Sequence, residues 1–264
     1  MADRDVVLWV IGGTGEAVEL AAVLAGEQIP CLVTVTTPTA RQSYRESPWL
    51  KVLVGGLDPA ALEAFLTAQG VGAVLDASHP FAAEISRGAI AATQALRIPY
   101  WRYERPSLDA PASQVVCRVA GLETVLTPDI LQGERVLLTL GYRWLHYFIP
   151  WQTRATLFAR ILPSTVALSA ALEAGFTPDR LIALRPPIYA DLEKALWQQW
   201  RITRVITKAS GAPGGEAVKR AVAEQLSTPL YILDRPKLDY PTVVHSQAAI
   251  LALCRRWWKS GQPR

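Results

Sequence analysis

Three short stretches concentrate the residue types that do chemistry. "IGGTGEA" sets Gly12, Gly13, Thr14, Gly15 and Glu16 directly after an apolar run. Glycines at that spacing let the backbone turn tightly against a pyrophosphate, whose charge a following helix start favours. A plain strand-to-helix turn is the competing reading, because Val18 stands where the dinucleotide fingerprint has its third glycine. "VLDASHPFAAEIS" ends another apolar run in Asp76, Ser78, His79, Pro80 and Phe81. A histidine at a strand end suits either proton donation or a hydrogen bond to a cofactor. The alternative is that Ser78 or Asp76 caps a helix begun by Pro80, with His79 a satisfied loop residue. "TKASGAPGGEAVK" joins Lys208 and Ser210 to Gly211, Gly214 and Gly215, whose amides at a helix start would make a pocket for carboxylates. Lys219, one helical stretch on, reads equally as a solvated residue and as a ligand contact.

Around these lie weaker candidates. The segment after "CLVTV" carries Thr36, Thr37 and Arg41 where an NAD site would carry an acid. Hydroxyls and a guanidinium suit a 2′-phosphate, so NADPH is the expected cofactor, with NADH possible. In "GYRWLHYFIPW", Tyr142, Arg143 and Trp144 follow a strand, and an aromatic face beside Arg143 suits a flat, acidic ligand. Most of that stretch reads as core, which leaves Tyr142 and Arg143 as the candidates. Arg105 and Arg235, each before proline, suit carboxylates of ligand or protein alike. The sequence has no GxxxxGK[ST], HExxH or GxSxG motif, and its three histidines are too scattered to suggest a metal triad.

The elements that must position these residues alternate. Strand, glycine or polar loop, and helix recur from "DVVLWVIGGTGEAVELAAVLAGE" to "GVGAVLDAS" and the Ala-rich helix after it. That alternation predicts parallel sheets covered on both faces, with ligand loops at the carboxyl ends of the strands. "ITRVITKASGAPGGEAVKRAVAEQLSTPLYILDRP" echoes "VGAVLDASHPFAAEISRGAIAATQALRIPYWRYERP", which implies a duplicated α/β half. The expected fold is therefore α/β: two Rossmann-like domains with mainly parallel sheets facing a central cleft. An NADP-binding domain over residues 1–108 and a substrate-side domain over 115–264 would be joined by the linker "RPSLDAPASQ". The tail "ALCRRWWKS" predicts a short surface helix rather than a membrane-surface element.

Composition narrows the function classes. Half of the 264 residues are hydrophobic and 19% are charged, a globular balance. No apolar run has membrane-spanning length, and the start lacks the basic head of a secretory signal. Three isolated cysteines argue against a disulfide framework and point to a reducing cytoplasm. The formal charge of +4 is dispersed, so no nucleic-acid tract stands out. Dispersed cations serve a small polyanion or a solvated surface equally well. A monomer is compatible with this pattern, though the sequence does not set the oligomeric state.

Taken together, "VIGGTGEAVELA", "DASHPFAAEIS", "YWRYERP", "TKASGAPGGEAVK" and "ILDRP" resemble the precorrin-6A reductase family of cobalamin biosynthesis, in the same order and over nearly the whole chain. The resemblance implies reduction of one double bond of precorrin-6A, or its cobalt form, by a nicotinamide cofactor to give the 6B form. It implies a polycarboxylate tetrapyrrole as partner, with Lys208 and Ser210 meeting its acetate and propionate arms. His79 would lie near the nicotinamide; the proton would come from His79, a lysine such as Lys208, or water, and nothing in the sequence assigns it. Ser78 replaces a Thr of the family motif, and Ala209 a frequent Asp. "LRPPIYADLEKAL" departs further, which puts substrate contacts around Arg185 to Tyr189 in doubt. A non-catalytic NADP-binding sensor would share the first half but has no need of the Lys-Ser-Gly cluster; a reductase of another polyanion is the third reading.

Overall fold

The computed structural model describes residues 6–108 and 113–260; within the expected linker, residues 109–112 lie outside that set. Twelve strands follow in order: β1 (Val7–Ile11), β2 (Cys31–Val35), β3 (Leu50–Val54), β4 (Val71–Asp76), β5 (Tyr100–Tyr103), β6 (Val116–Val119), β7 (Arg135–Leu138), β8 (Thr156–Ile161), β9 (Leu181–Ala183), β10 (Arg204–Lys208), β11 (Leu230–Leu233) and β12 (Val243–Val244). They form two six-stranded sheets, β12-β5-β4-β1-β2-β3 and β6-β11-β10-β7-β8-β9. Every ladder between named strands is parallel.

Counted from β1 and from β7, both sheets have the Rossmann order 3-2-1-4-5-6. The sixth strands are exchanged. β6 follows β5 in the chain yet completes the second sheet, and β12 follows β11 yet completes the first. One compact unit therefore combines Met1–Pro106 with Pro236–Arg264, and the other is Ser107–Arg235.

The expected domain over 115–264 must be corrected at its carboxyl end. Val243 and Val244 pair with Arg102 and Tyr103 of β5. Arg102 and Glu104 donate backbone hydrogen bonds to Thr242 O and Val244 O, at 2.8 and 2.9 Å. The basic aromatic tail becomes the helix Gln247–Ser260, which buries Ile250, Leu251 and Cys254 in the first unit's core. A two-residue strand held by backbone bonds leaves no hydrophobic pattern to read.

The strands are continuous apolar runs because both faces are covered. Leu8, Trp9 and Val10 have no exposed surface, and Trp9 Nε1 donates to Thr34 Oγ1 at 3.0 Å. The Ala/Leu face of the helix Gly15–Gly26 packs on β1 and β2 through Leu20 and Leu24; each such Leu contributes roughly 1.5–3 kcal/mol. Asp58 caps a 3-10 turn that runs into the helix Leu62–Ala68, and Gly70, at φ +63°, ends it. The aromatic stretch after β7 is a 3-10 helix, Tyr142–Trp151, that buries Leu145, Phe148 and Trp151. Among the described residues no helix is long and apolar enough to cross a membrane.

Candidate functional site

In the first unit the glycine turn leaves the carboxyl end of β1. Gly13 has φ +100°, and a Cβ on Gly13 or Gly15 would meet nothing within 4 Å. The turn is open where a ligand's phosphates would approach, so its residues fit a dinucleotide. Thr14 caps the helix Gly15–Gly26 by accepting from Ala17 N at 3.1 Å. The same hydroxyl donates to Ala77 O at 2.7 Å, which ties the turn to the segment bearing Ser78 and His79.

Glu16 is spoken for by the protein. Arg105 grips it with two bonds, Nε–Oε1 at 3.0 Å and Nη2–Oε2 at 3.1 Å, both side chains largely buried. Of the two readings of Arg105, carboxylates of ligand or of protein, the structure shows the second, and the pair holds the segment after β5 to the first helix. Beyond β2, Thr36 and Thr37 are exposed, and Thr37 Oγ1 accepts from Ala40 N at 3.2 Å, capping the short helix Pro38–Arg41. Arg41 is half-buried at its end, and no carboxylate intervenes between Thr36 and Arg45.

Asp76, the last residue of β4, is fully buried and satisfied. Its Oδ1 accepts from Ser78 N at 2.9 Å and Arg102 Nη1 at 2.8 Å. Its Oδ2 accepts from Ser86 Oγ at 2.6 Å and Tyr100 Oη at 2.5 Å. Arg102 also donates to Ser78 Oγ at 3.1 Å and pairs with Glu104 at 2.8 Å. Ser78, expected with His79 to touch the cofactor, is itself part of this buried network. Neither Ser78 nor Asp76 caps the next helix: Ala83–Leu96 begins after Ala82 with no side-chain cap, and Pro80 lies in the turn before it. His79 is half-buried, and its Nδ1 accepts from Phe81 N at 3.2 Å. Accepting there puts the neutral ring's proton on Nε2.

In the second unit β10 occupies the place of β4, and Lys208 ends it as Asp76 ends β4. Lys208 Nζ sits 4.6 Å from the centre of the Trp144 ring. The Arg143 guanidinium lies 5.7 Å from the Tyr142 ring. Burial, reinforced by the charge of Arg143, pushes the Lys208 ammonium down to about 7. The structure thus gathers Tyr142, Arg143, Trp144 and Lys208 at the carboxyl ends of β7 and β10.

The glycine loop after Lys208 works differently from the expectation. Its amides are used internally: Gly211 N donates to Glu216 Oε2 at 3.1 Å, Gly214 N to Gly211 O at 3.1 Å, and Gly215 N to Ala212 O at 3.0 Å. They do not form an open carboxylate nest, because the loop folds back on its own carbonyls and on the Glu216 carboxylate. A Cβ on Gly214 would come within 1.8 Å of Ser210 Oγ, so glycine is required there. Ser210 is itself buried. Lys219 is buried at 2% exposure rather than solvated, and its Nζ donates to Gly214 O at 2.8 Å and Gly215 O at 3.3 Å. Burial, with Arg160 nearby, lowers its pKa to about 8. In the divergent stretch Arg185 and Tyr189 are exposed and Ile188 is buried.

Two residues escaped the sequence reading. Arg102 sits in "YWRY", and one charge inside a buried aromatic strand was the available signal that a buried acid must face it. Glu216 reads as an ordinary first-turn acid, yet it is 1% exposed, holds Gly211 N and pairs with Arg220 at 3.0 Å.

Comparison with known proteins covers both units. The model of the family described as Precorrin-6x reductase CbiJ/CobK matches residues 7–255. The cobalt-precorrin-6A reductase of Synechocystis sp. is 44% identical, over 97% of this chain and 98% of its own. That of Priestia megaterium is 30% identical, over 90% of this chain and 93% of its own. The solved structure of CobK precorrin-6A reductase superposes with a TM-score of 0.79 at 25% identity, covering 98% of this chain and 99% of that one.

Proposed function

This chain belongs to the precorrin-6x reductase family, and on that premise we propose that it reduces one C=C bond of the precorrin-6A macrocycle, in its cobalt form, with NADPH as the cofactor. The observation that carries the reading is the match over residues 7–255, which takes in both the glycine turn and the Lys208 loop. The 44% identical relative bears the cobalt name, and that favours the metallated substrate.

Gly12 to Gly15 would hold the dinucleotide phosphates, with Thr36, Thr37 and Arg41 toward the adenosine ribose. When bound, the reduced nicotinamide supplies the hydride. A proton must reach the neighbouring carbon, so that one C=C bond becomes two C–H bonds. With its Nδ1 accepting from the Phe81 amide, His79 is neutral and offers Nε2–H as a hydrogen-bond donor to cofactor or macrocycle, so water is the proton source we favour. Lys208 meets a carboxylate arm of the macrocycle, with Arg143 beside it and the Tyr142 and Trp144 rings offering flat faces. A carboxylate next to Lys208 would restore the proton that burial makes labile. Arg105 and the amides of Gly211, Gly214 and Gly215 shape these loops instead of gripping substrate.

The test is an anaerobic assay of the purified protein with precorrin-6A and with its cobalt form, following NADPH absorbance. Oxidation that depends on the macrocycle supports the reading, with the higher kcat/KM expected for the cobalt form. No oxidation with either compound overturns it.

A further inference from the structure

Tyr44 lies outside every motif, yet it is tied to both halves of the glycine-turn region. Its backbone N donates to Arg41 O at 3.1 Å, fixing it to the segment that carries Arg41. Its side chain, only 4% exposed, runs beneath the glycine turn. A Cβ on Gly12 would stand 2.6 Å from Tyr44 Oη, which is why that position takes glycine. The oxygen faces the Gly13 amide, yet among the described residues it has no partner at hydrogen-bonding geometry. A buried hydroxyl left unpaired costs stability, and such groups call for an explanation. Gly13 and Gly15 of the same turn are open for 4 Å where a side chain would be.

We propose that Tyr44 is a cofactor-binding residue whose hydroxyl is held under the Gly12–Gly13 turn to donate to an oxygen of the dinucleotide's pyrophosphate. The inference rests on the nicotinamide reading above. It also sets Tyr44 apart from Arg41: a pyrophosphate contact serves NADPH and NADH alike, while a 2′-phosphate contact serves only NADPH.

Tyr44→Phe separates this role from a structural one. Exchanging an unpaired buried hydroxyl for hydrogen relieves desolvation, so the apo protein should keep its Tm or gain slightly. Fluorescence titration should show NADPH and NADH each bound roughly tenfold more weakly, the scale of one hydrogen bond to a charged group. The rise in Tm on adding cofactor should shrink accordingly. Unchanged affinity for both cofactors overturns the proposal, as does a drop in apo Tm that accounts for the weaker binding. The parent protein is titrated in parallel: failure of the parent to bind either cofactor rejects the nicotinamide reading itself and not only the part played by Tyr44.

Discussion

Asp76 and Lys208 close the same strand position in two sheets of identical order, and the protein uses them in opposite ways. Asp76 is fully buried and accepts from four donors, including Arg102. Lys208 is half-buried over an aromatic ring, with its charge easily lost. The first is built to hold a loop still. The second has a charge that burial disfavours and that an incoming carboxylate would restore.

Removing Asp76 should therefore act on stability. Asp76→Ala leaves Arg102, 1% exposed, without its main carboxylate. Breaking a buried pair from one side costs about 3–5 kcal/mol. Urea denaturation should show a loss of that size, and a change below about 1 kcal/mol would mean that water or Glu104 takes over the pairing.

Lys208 predicts a pH dependence. Its folded value near 7 lies below the ordinary 10.5, so the free protein carries this charge below about 7 and loses it above. Because kcat/KM reports groups of the free enzyme, its value for the macrocycle should fall as pH rises through about 7. Lys208→Ala should flatten that fall and raise KM about tenfold, with NADPH affinity unchanged. Stability runs the other way. Between about 7 and 10.5 the unfolded chain binds the extra proton, so the cost of burying Lys208 is greatest below about 7 and shrinks toward 10.5. Lys208→Met should raise Tm more at acid than at alkaline pH, and an equal rise at both would contradict the lowered pKa.

Much of this was legible in the sequence because strand ends and glycine turns are local. The apolar runs of β1 and β4 placed Gly12 to Gly15 and Asp76 to Phe81 at carboxyl ends, where the structure has them. The echo between the His79 and Lys208 stretches also marked the two equivalent strands, β4 and β10. What failed was long-range. The exchange of β6 and β12 leaves no periodic trace, because β12 is two residues held by backbone bonds. The burial of Lys219 and Glu216 was hidden for a related reason. A charged residue on a helix reads as solvated unless its partners, here the carbonyls and amide of a loop, are known.

Arg41 predicts the choice of cofactor. It ends the short helix after β2, and no acid lies between Thr36 and Arg45, which suits a 2′-phosphate. Arg41→Ala should weaken NADPH binding by roughly tenfold and leave NADH within about twofold. Titration of both cofactors against the parent and the variant decides it; equal affinity of the parent for the two would refute the preference.

The Lys208 loop offers a test of packing that does not pass through catalysis. Gly214 is required because Ser210 fills its side-chain space: a Cβ would meet Ser210 Oγ at 1.8 Å and Ser210 Cβ at 2.3 Å. Both atoms belong to one buried side chain at the base of the loop, so the neighbour has little room to yield. Gly214→Ala should then cost about 1–3 kcal/mol by displacing the loop, and Lys219 would lose its bond to Gly214 O. Ser210→Gly removes both clashing atoms. Placed in the Gly214→Ala background it should recover most of the loss, giving a favourable coupling of at least about 1 kcal/mol in a double-mutant cycle. Ser210→Ala, which removes only Oγ, should recover less. Additive losses in the cycle would show that Gly214 is needed for its backbone and not for the space that Ser210 occupies.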